Sequence, residues 1–245
     1  MYPPLAVVVL WVALTAGVMG LNRRGARAAR LGLLLGLPFL GLAHWQLGLV
    51  RHDLSSLGAY RALAAGMTIW AWHELAFYSG LICGPWRQAC PPHAQGITRF
   101  GYALGTHLYH ELACLVELGA MLFVLGDATN WVGLLVFCLS WALQHSAKLN
   151  VLLGVPWLQV DLFPAHLRYL GSFWARRTPS AFFLPSVSVS TLLAGLLWLT
   201  AGSLGPAPVA VRLALLASVV TFGAIEHWLL LLPARVTNAA SQAIE

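Results

Sequence analysis

Seven apolar runs dominate this chain, at about 4–21, 31–50, 60–82, 101–126, 129–147, 183–203 and 208–232. A helix rises 1.5 Å per residue, so about 20 apolar residues cross a hydrocarbon core roughly 30 Å thick. Inside lipid a backbone must satisfy its own polar groups, which a run of this length does as a helix. The sequence therefore predicts an all-α, polytopic membrane helix bundle with about seven transmembrane helices. Composition agrees, with 59% hydrophobic and only 9% charged residues against about 25% charged in a soluble domain. With no linker, low-complexity tract or internal repeat, residues 1–245 read as a single integral membrane domain.

The basic residues orient the bundle. The first run, with neither a basic segment before it nor a cleavage-type motif after it, reads as a retained helix, and the bundle is oriented with its N-terminus on the periplasmic side and its C-terminus in the cytoplasm. Eleven of the 14 Lys and Arg then face the cytoplasm, and Arg51, Arg61 and Arg212 do not. This is the positive-inside distribution, and it accounts for the net charge of +6 without a nucleic-acid partner. The longest piece outside the spans, 148–182, contains "PAHLRYLGSFWARR". Pro164 suits a first helical turn, and Leu167, Leu170, Phe173 and Trp174 oppose Arg168, Arg176 and Arg177. A short interfacial helix on the cytoplasmic membrane surface is the expectation. Cys83, Cys90 and His93 lack a fourth zinc ligand, so "CGPWRQACPPH" reads as a turn. Gly32 and Gly36, like Gly101 and Gly105, are spaced for close helix packing within one chain.

Four of the eight acidic residues fall inside predicted spans: Glu74, Glu111, Glu117 and Glu226. The other four, Asp53, Asp127, Asp161 and Glu245, fall in loops or at the end. A charge at mid-bilayer costs about 3 kcal/mol even on the mildest scale, so each buried acid needs a proton, a partner, water or a metal. No Lys or Arg is expected at their depth, whereas His73, His107, His110 and His227 are neighbours in sequence. In "HLYHELACLVELG", residues 107–119, His107, Glu111 and Cys114 share one helical stripe, with His110 and Glu117 at its edge. Counting from the run ends puts Glu74, His110 and Glu226 about 10–14 Å below the cytoplasmic surface on three helices.

Three arrangements satisfy these residues: a metal site, with iron or zinc the best match to mixed carboxylate and imidazole ligands; a tetrapyrrole held through an axial histidine; or ligand-free hydrogen bonding between helices. A proton path built from the same groups is a further use. The candidate metal ligands are Glu74, His110, Glu111, His166, Glu226 and His227, with His166 approaching from the interfacial helix. Lys148 and Asn150, at a helix end, are candidate cofactor contacts. The sequence names no catalytic residue.

The blocks "HELAFYSGLICGPWRQACP", "RFGYALGTHLYHELA", "SAKLNVLLGVPWLQVDLFPAHLRYLGSFW" and "EHWLLLLP" resemble the PuhE family, photosynthetic complex assembly proteins of phototrophic bacteria. They cover about a third of the chain, and the first 55 or so residues add nothing to the match. Glu74, His110, Glu111, Lys148, Asn150, His166, Glu226 and His227 fit the family pattern; His73, His107, Glu117 and His145 fit it less closely. The resemblance implies a multi-pass protein of the bacterial inner (intracytoplasmic) membrane, encoded among photosynthesis genes beside that of a reaction-centre subunit. Its implied role is reaction-centre or light-harvesting assembly, or bacteriochlorophyll supply, with membrane lipids and photosystem subunits as partners. The competing expectation is a metal-dependent membrane oxidoreductase of tetrapyrrole or carotenoid metabolism.

Overall fold

The computed structural model describes residues 2–158, 160 and 163–232, so the expectations for Asp161, Arg235 and Glu245 lie outside the described residues. The helices are α1 (Pro3–Arg23), α2 (Ala26–Val50), α3 (Ser56–Tyr78), α4 (Gly96–Gly105), α5 (Leu108–Leu125), α6 (Val132–Leu153), a 3-10 helix (Ala165–Phe173), α7 (Phe183–Ser203) and α8 (Pro208–Leu229). Extended pairing among the described residues amounts to one bridge between Val155 and Arg176. The all-α bundle is as expected. Among the described residues six helices, α1, α2, α5, α6, α7 and α8, are long and apolar enough to cross a membrane. The expected span at 60–82 is α3, equally long at 23 residues but carrying Arg61, His73 and Glu74.

Helix α3 is the centre of the bundle, packing against α1, α2, α5, α6 and α8. It meets α6 backbone to backbone: a Cβ on Gly66 would collide with the Gly133 carbonyl, and one on Gly133 would lie 2.7 Å from the Ala62 oxygen. Small residues thus let two backbones touch, the geometry that favours dispersion contacts between helices in lipid. Gly32 and Gly36 likewise face Leu21 and Trp72 of the same chain. The core around this seam includes Leu47, Leu63, Ile69, Met121, Phe137 and Leu215. Ser55 caps α3 by accepting from the Gly58 amide at 3.1 Å.

Two sequence expectations are corrected here. The apolar run 101–126 is not one helix, because α4 ends at Gly105 and α5 begins at Leu108. The segment after α3 wedges into this break: Trp86 N donates to the Gly105 carbonyl at 3.0 Å and His110 N to the Cys83 carbonyl at 2.9 Å. Thr106 closes α4 through its hydroxyl, which donates to the Ala103 carbonyl at 2.7 Å. The second correction concerns depth. Glu74 lies four residues before the end of α3, Glu226 three before the end of α8, and His110 two after the start of α5, or about 3–6 Å from those ends at 1.5 Å per residue. They share a level, but one nearer the helix ends than run lengths suggested. Apolar turn residues such as Leu81, Ile82, Leu230 and Leu231 had lengthened the runs.

The expected interfacial helix is present as the 3-10 helix. Rather than presenting its apolar side to lipid alone, it covers the end of the bundle: Leu167 packs with Phe77 and Cys83, and Phe173 with Ala103 and Leu152.

Candidate functional site

Glu111 is the centre of the polar cluster. Standing in the first turn of α5, it lies where a helix N-terminus favours a carboxylate. Its Oε2 accepts from Trp141 Nε1 at 2.7 Å and lies 2.8 Å from His145 Nε2. Its Oε1 lies 3.3 Å from Lys148 Nζ, 3.4 Å from His110 Nδ1 and 3.8 Å from His107 Nε2. The carboxylate therefore joins the α4–α5 break to three successive exposures of α6.

Lys148 corrects the expectation that no cation reaches this level. Helix α6 continues to Leu153, so Lys148 lies inside it, turned toward Glu111 and 5.2 Å from the Phe77 ring centroid. The last carbonyls of α6 are capped by arginines instead: Arg99 donates to the Leu152 oxygen at 2.9 Å and Arg177 Nε to the Leu153 oxygen at 2.8 Å.

The other expected ligands do not all converge on Glu111. His110, fully buried, is shared: its Nδ1 faces Glu111 and its Nε2 lies 3.9 Å from Glu74 Oε1. Glu74 accepts from the Gln144 amide and, with Glu226, lines a separate cavity of about 260 Å³ between α1, α3, α6 and α8. His227, next to Glu226 in sequence, points elsewhere, with Nδ1 donating to the Gly223 carbonyl at 2.6 Å and Nε2 2.9 Å from Ser146 Oγ. His166 lies outside both groups: its Nε2 donates to the Tyr78 carbonyl at 2.9 Å, capping α3. The 3-10 helix covers the end of α3, which places this imidazole on the backbone there. Asn150 ties α6 to α7, donating to Ser186 Oγ at 2.9 Å and to the Ser146 carbonyl at 3.0 Å.

A second acid–imidazole group occupies the middle of α5. Glu117 is flanked by His73 Nε2 at 3.1 Å from Oε2 and by His44 Nε2 at 2.6 Å from Oε1, the latter a close pair without hydrogen-bond alignment. Cys114 Sγ lies between the groups, 4.0 Å from His73 Nδ1 and 3.9 Å from His110 Nδ1. The sequence pointed to His73 and Glu117 but missed His44, whose only signal was an imidazole in an apolar run. Outside the spans, burial pushes the Cys83 thiol up to about 11 and its Sγ donates to the Phe77 carbonyl, so it is a neutral thiol and not a thiolate ligand.

A larger cavity, about 400 Å³, opens beside Glu111. Phe77, Phe100, Leu158, Phe163 and Phe173 give it apolar walls, while His107, His145 and Lys148 form a polar strip on one side. A cavity of this size and character suits an apolar ligand oriented by a few polar groups.

These features define a helical, multi-pass membrane protein with one acid–imidazole cluster near its helix ends and a second in the middle of α5. The chain belongs to the family described as "protein of unknown function (DUF3623)", whose model matches residues 1–240. It is 30% identical over 233 residues to an uncharacterized 30.4 kDa protein in the puhA 5′ region of Rhodobacter capsulatus, an alignment covering 94% of this chain and 85% of that protein. No solved structure matches the chain.

Proposed function

We propose that this protein is an assembly factor for the bacterial photosynthetic complex, acting in the inner, intracytoplasmic membrane on reaction-centre or light-harvesting assembly or on bacteriochlorophyll supply. The observation that carries this reading is the relative in the puhA 5′ region, similar along nearly the whole chain. The PuhE-like motifs support it from a separate direction, and two of them, "THLYHELA" and "SAKLN", supply His107, Glu111 and Lys148 to the polar cluster. The geometry is compatible with an apolar ligand held beside a few polar groups. The cavity of about 400 Å³ is roofed by the 3-10 helix, and its polar strip is formed by two imidazoles and an ammonium group.

A second reading, a metal-dependent oxidoreductase of tetrapyrrole or carotenoid metabolism, draws support from one observation: His107, Glu111 and His145 offer ligand atoms within 4.8 Å of one another. Deleting the gene tests the role common to both. Membranes of the deletion strain are expected to show lowered or unbalanced reaction-centre, light-harvesting or bacteriochlorophyll levels, while growth without photosynthesis is unchanged. Normal pigment and complex levels would reject both readings.

A further inference from the structure

The two imidazoles beside Glu111 have their ring protons assigned by their other neighbours. His145 Nδ1 lies 3.0 Å from the Trp141 carbonyl, which can only accept, so this nitrogen carries the proton. Thr106 Oγ1 gives its single proton to the Ala103 carbonyl at 2.7 Å and lies 3.2 Å from His107 Nδ1, so it accepts from that ring. In the neutral form of each ring, Nε2 is then a bare lone pair. Both lone pairs face Glu111: His145 Nε2 lies 2.8 Å from Oε2 and His107 Nε2 3.8 Å from Oε1. Lone pairs on nitrogen and carboxylate oxygen repel at such distances unless a cation or proton lies between them.

This is how metal-binding histidines are prepared. One ring nitrogen donates to a fixed acceptor, and the other presents its lone pair to the ion. The carboxylate has a supporting donor of its own, Trp141 Nε1 at 2.7 Å from Oε2. Ligand atoms each about 2.0–2.2 Å from a zinc ion lie roughly 3–4 Å from one another. The three ligand atoms here lie mutually within 4.8 Å, so reaching that spacing needs the His145–Glu111 pair, now 2.8 Å apart, to open slightly and the widest pair to close. His107 and His145 also line the cavity of about 400 Å³, so a coordination position on that side would remain open to water or a ligand.

We infer that His107 Nε2, His145 Nε2 and the Glu111 carboxylate form a site for one divalent first-row transition-metal ion, with an open position facing the apolar cavity. Two imidazoles and one carboxylate match the ligand preferences of zinc and iron. Lys148, 3.3 Å from Glu111 Oε1, is the competing cation. It balances the carboxylate when no ion is bound and is not itself a ligand. The inference stands apart from the photosynthetic role, because it concerns only what the side chains can hold.

The test uses the full chain purified in detergent, stripped with a chelator and titrated with Co²⁺, whose visible d–d bands report coordination. Wild type is expected to bind one equivalent, and inductively coupled plasma analysis of Zn²⁺-loaded protein to give the same stoichiometry. His107→Ala and His145→Ala should each weaken binding at least tenfold. Lys148→Met should bind at least as tightly as wild type. His52→Ala, a histidine paired with Asp127 at the other end of the bundle, should leave binding unchanged. Wild-type protein that takes up no Co²⁺ would overturn the assignment, with protonated imidazoles then filling the gap. Binding that survives His107→Ala and His145→Ala at full strength, or that is lost in Lys148→Met or His52→Ala, would overturn it too. Because wild type is titrated directly, a poorly folding variant does not decide the outcome.

Discussion

His145 sets its Nε2 2.8 Å from Glu111 Oε2 while its Nδ1 donates to the Trp141 carbonyl one turn earlier on α6. A single turn of α6 therefore fixes the imidazole and, through the Trp141 indole, also holds the carboxylate. Trp141→Phe keeps the ring packing but removes the donor. A hydrogen bond to a charged group contributes about 1.5–3 kcal/mol, and a loss of that order is expected on denaturant titration in mixed micelles. A change within error would show that Glu111 does not depend on this indole.

Glu117 is held between His73 and His44 within the bundle. Removing one partner of a buried pair costs about 3–5 kcal/mol, because the remaining charge is left uncompensated. His73→Leu leaves His44 beside Glu117 and should therefore cost less than that range, and adding Glu117→Gln should recover part of the loss. The measurement is a double-mutant cycle of unfolding free energies. Strictly additive losses would mean that the two side chains do not act as a pair.

At the opposite end, the Asn130 amide nitrogen reaches the carbonyls of Val50, Asp53 and Gly58 at 3.2, 3.0 and 3.3 Å, tying the start of α6 to the α2–α3 turn. Asn130→Ala leaves these oxygens to find new partners and should cost about 1–3 kcal/mol. Thermal unfolding in detergent reads the difference, and an unchanged midpoint would contradict it.

Topology follows from the basic residues. Reporter fusions should place the N-terminus in the periplasm and the 148–182 segment in the cytoplasm, the orientation that puts the cavity beside Glu111 near the cytoplasmic surface. Fusions active in the reverse sense would move the cavity to the periplasmic side.

The helical bundle was legible because apolar length alone demands it, and the shared level of Glu74, His110 and Glu226 was legible from alternating helix direction. The break at Thr106 and His107 was not. It depends on the 81–86 segment pressing against Gly105, a contact distant from the apolar pattern that spans 101–126. Lys148 escaped for a related reason: the run ended at 147 in hydropathy, yet arginines from two other segments cap a helix that continues to Leu153. His145 carried no signal beyond its type and a looser fit to the family pattern. Its role depends on pairing α6 with α5, a tertiary fact that spacing within one helix does not contain. His166 and His227 had the right chemistry and level, but each ring is turned to a nearby carbonyl or hydroxyl.

The most direct test of the account joins the site to the role. The deletion strain is complemented with wild type or with His145→Ala at matched membrane abundance, and the near-infrared absorbance of the pigment–protein complexes is measured. Wild type is expected to restore the complexes and His145→Ala to leave them depleted. Full restoration by His145→Ala would contradict the claim that the polar cluster beside the cavity carries the function.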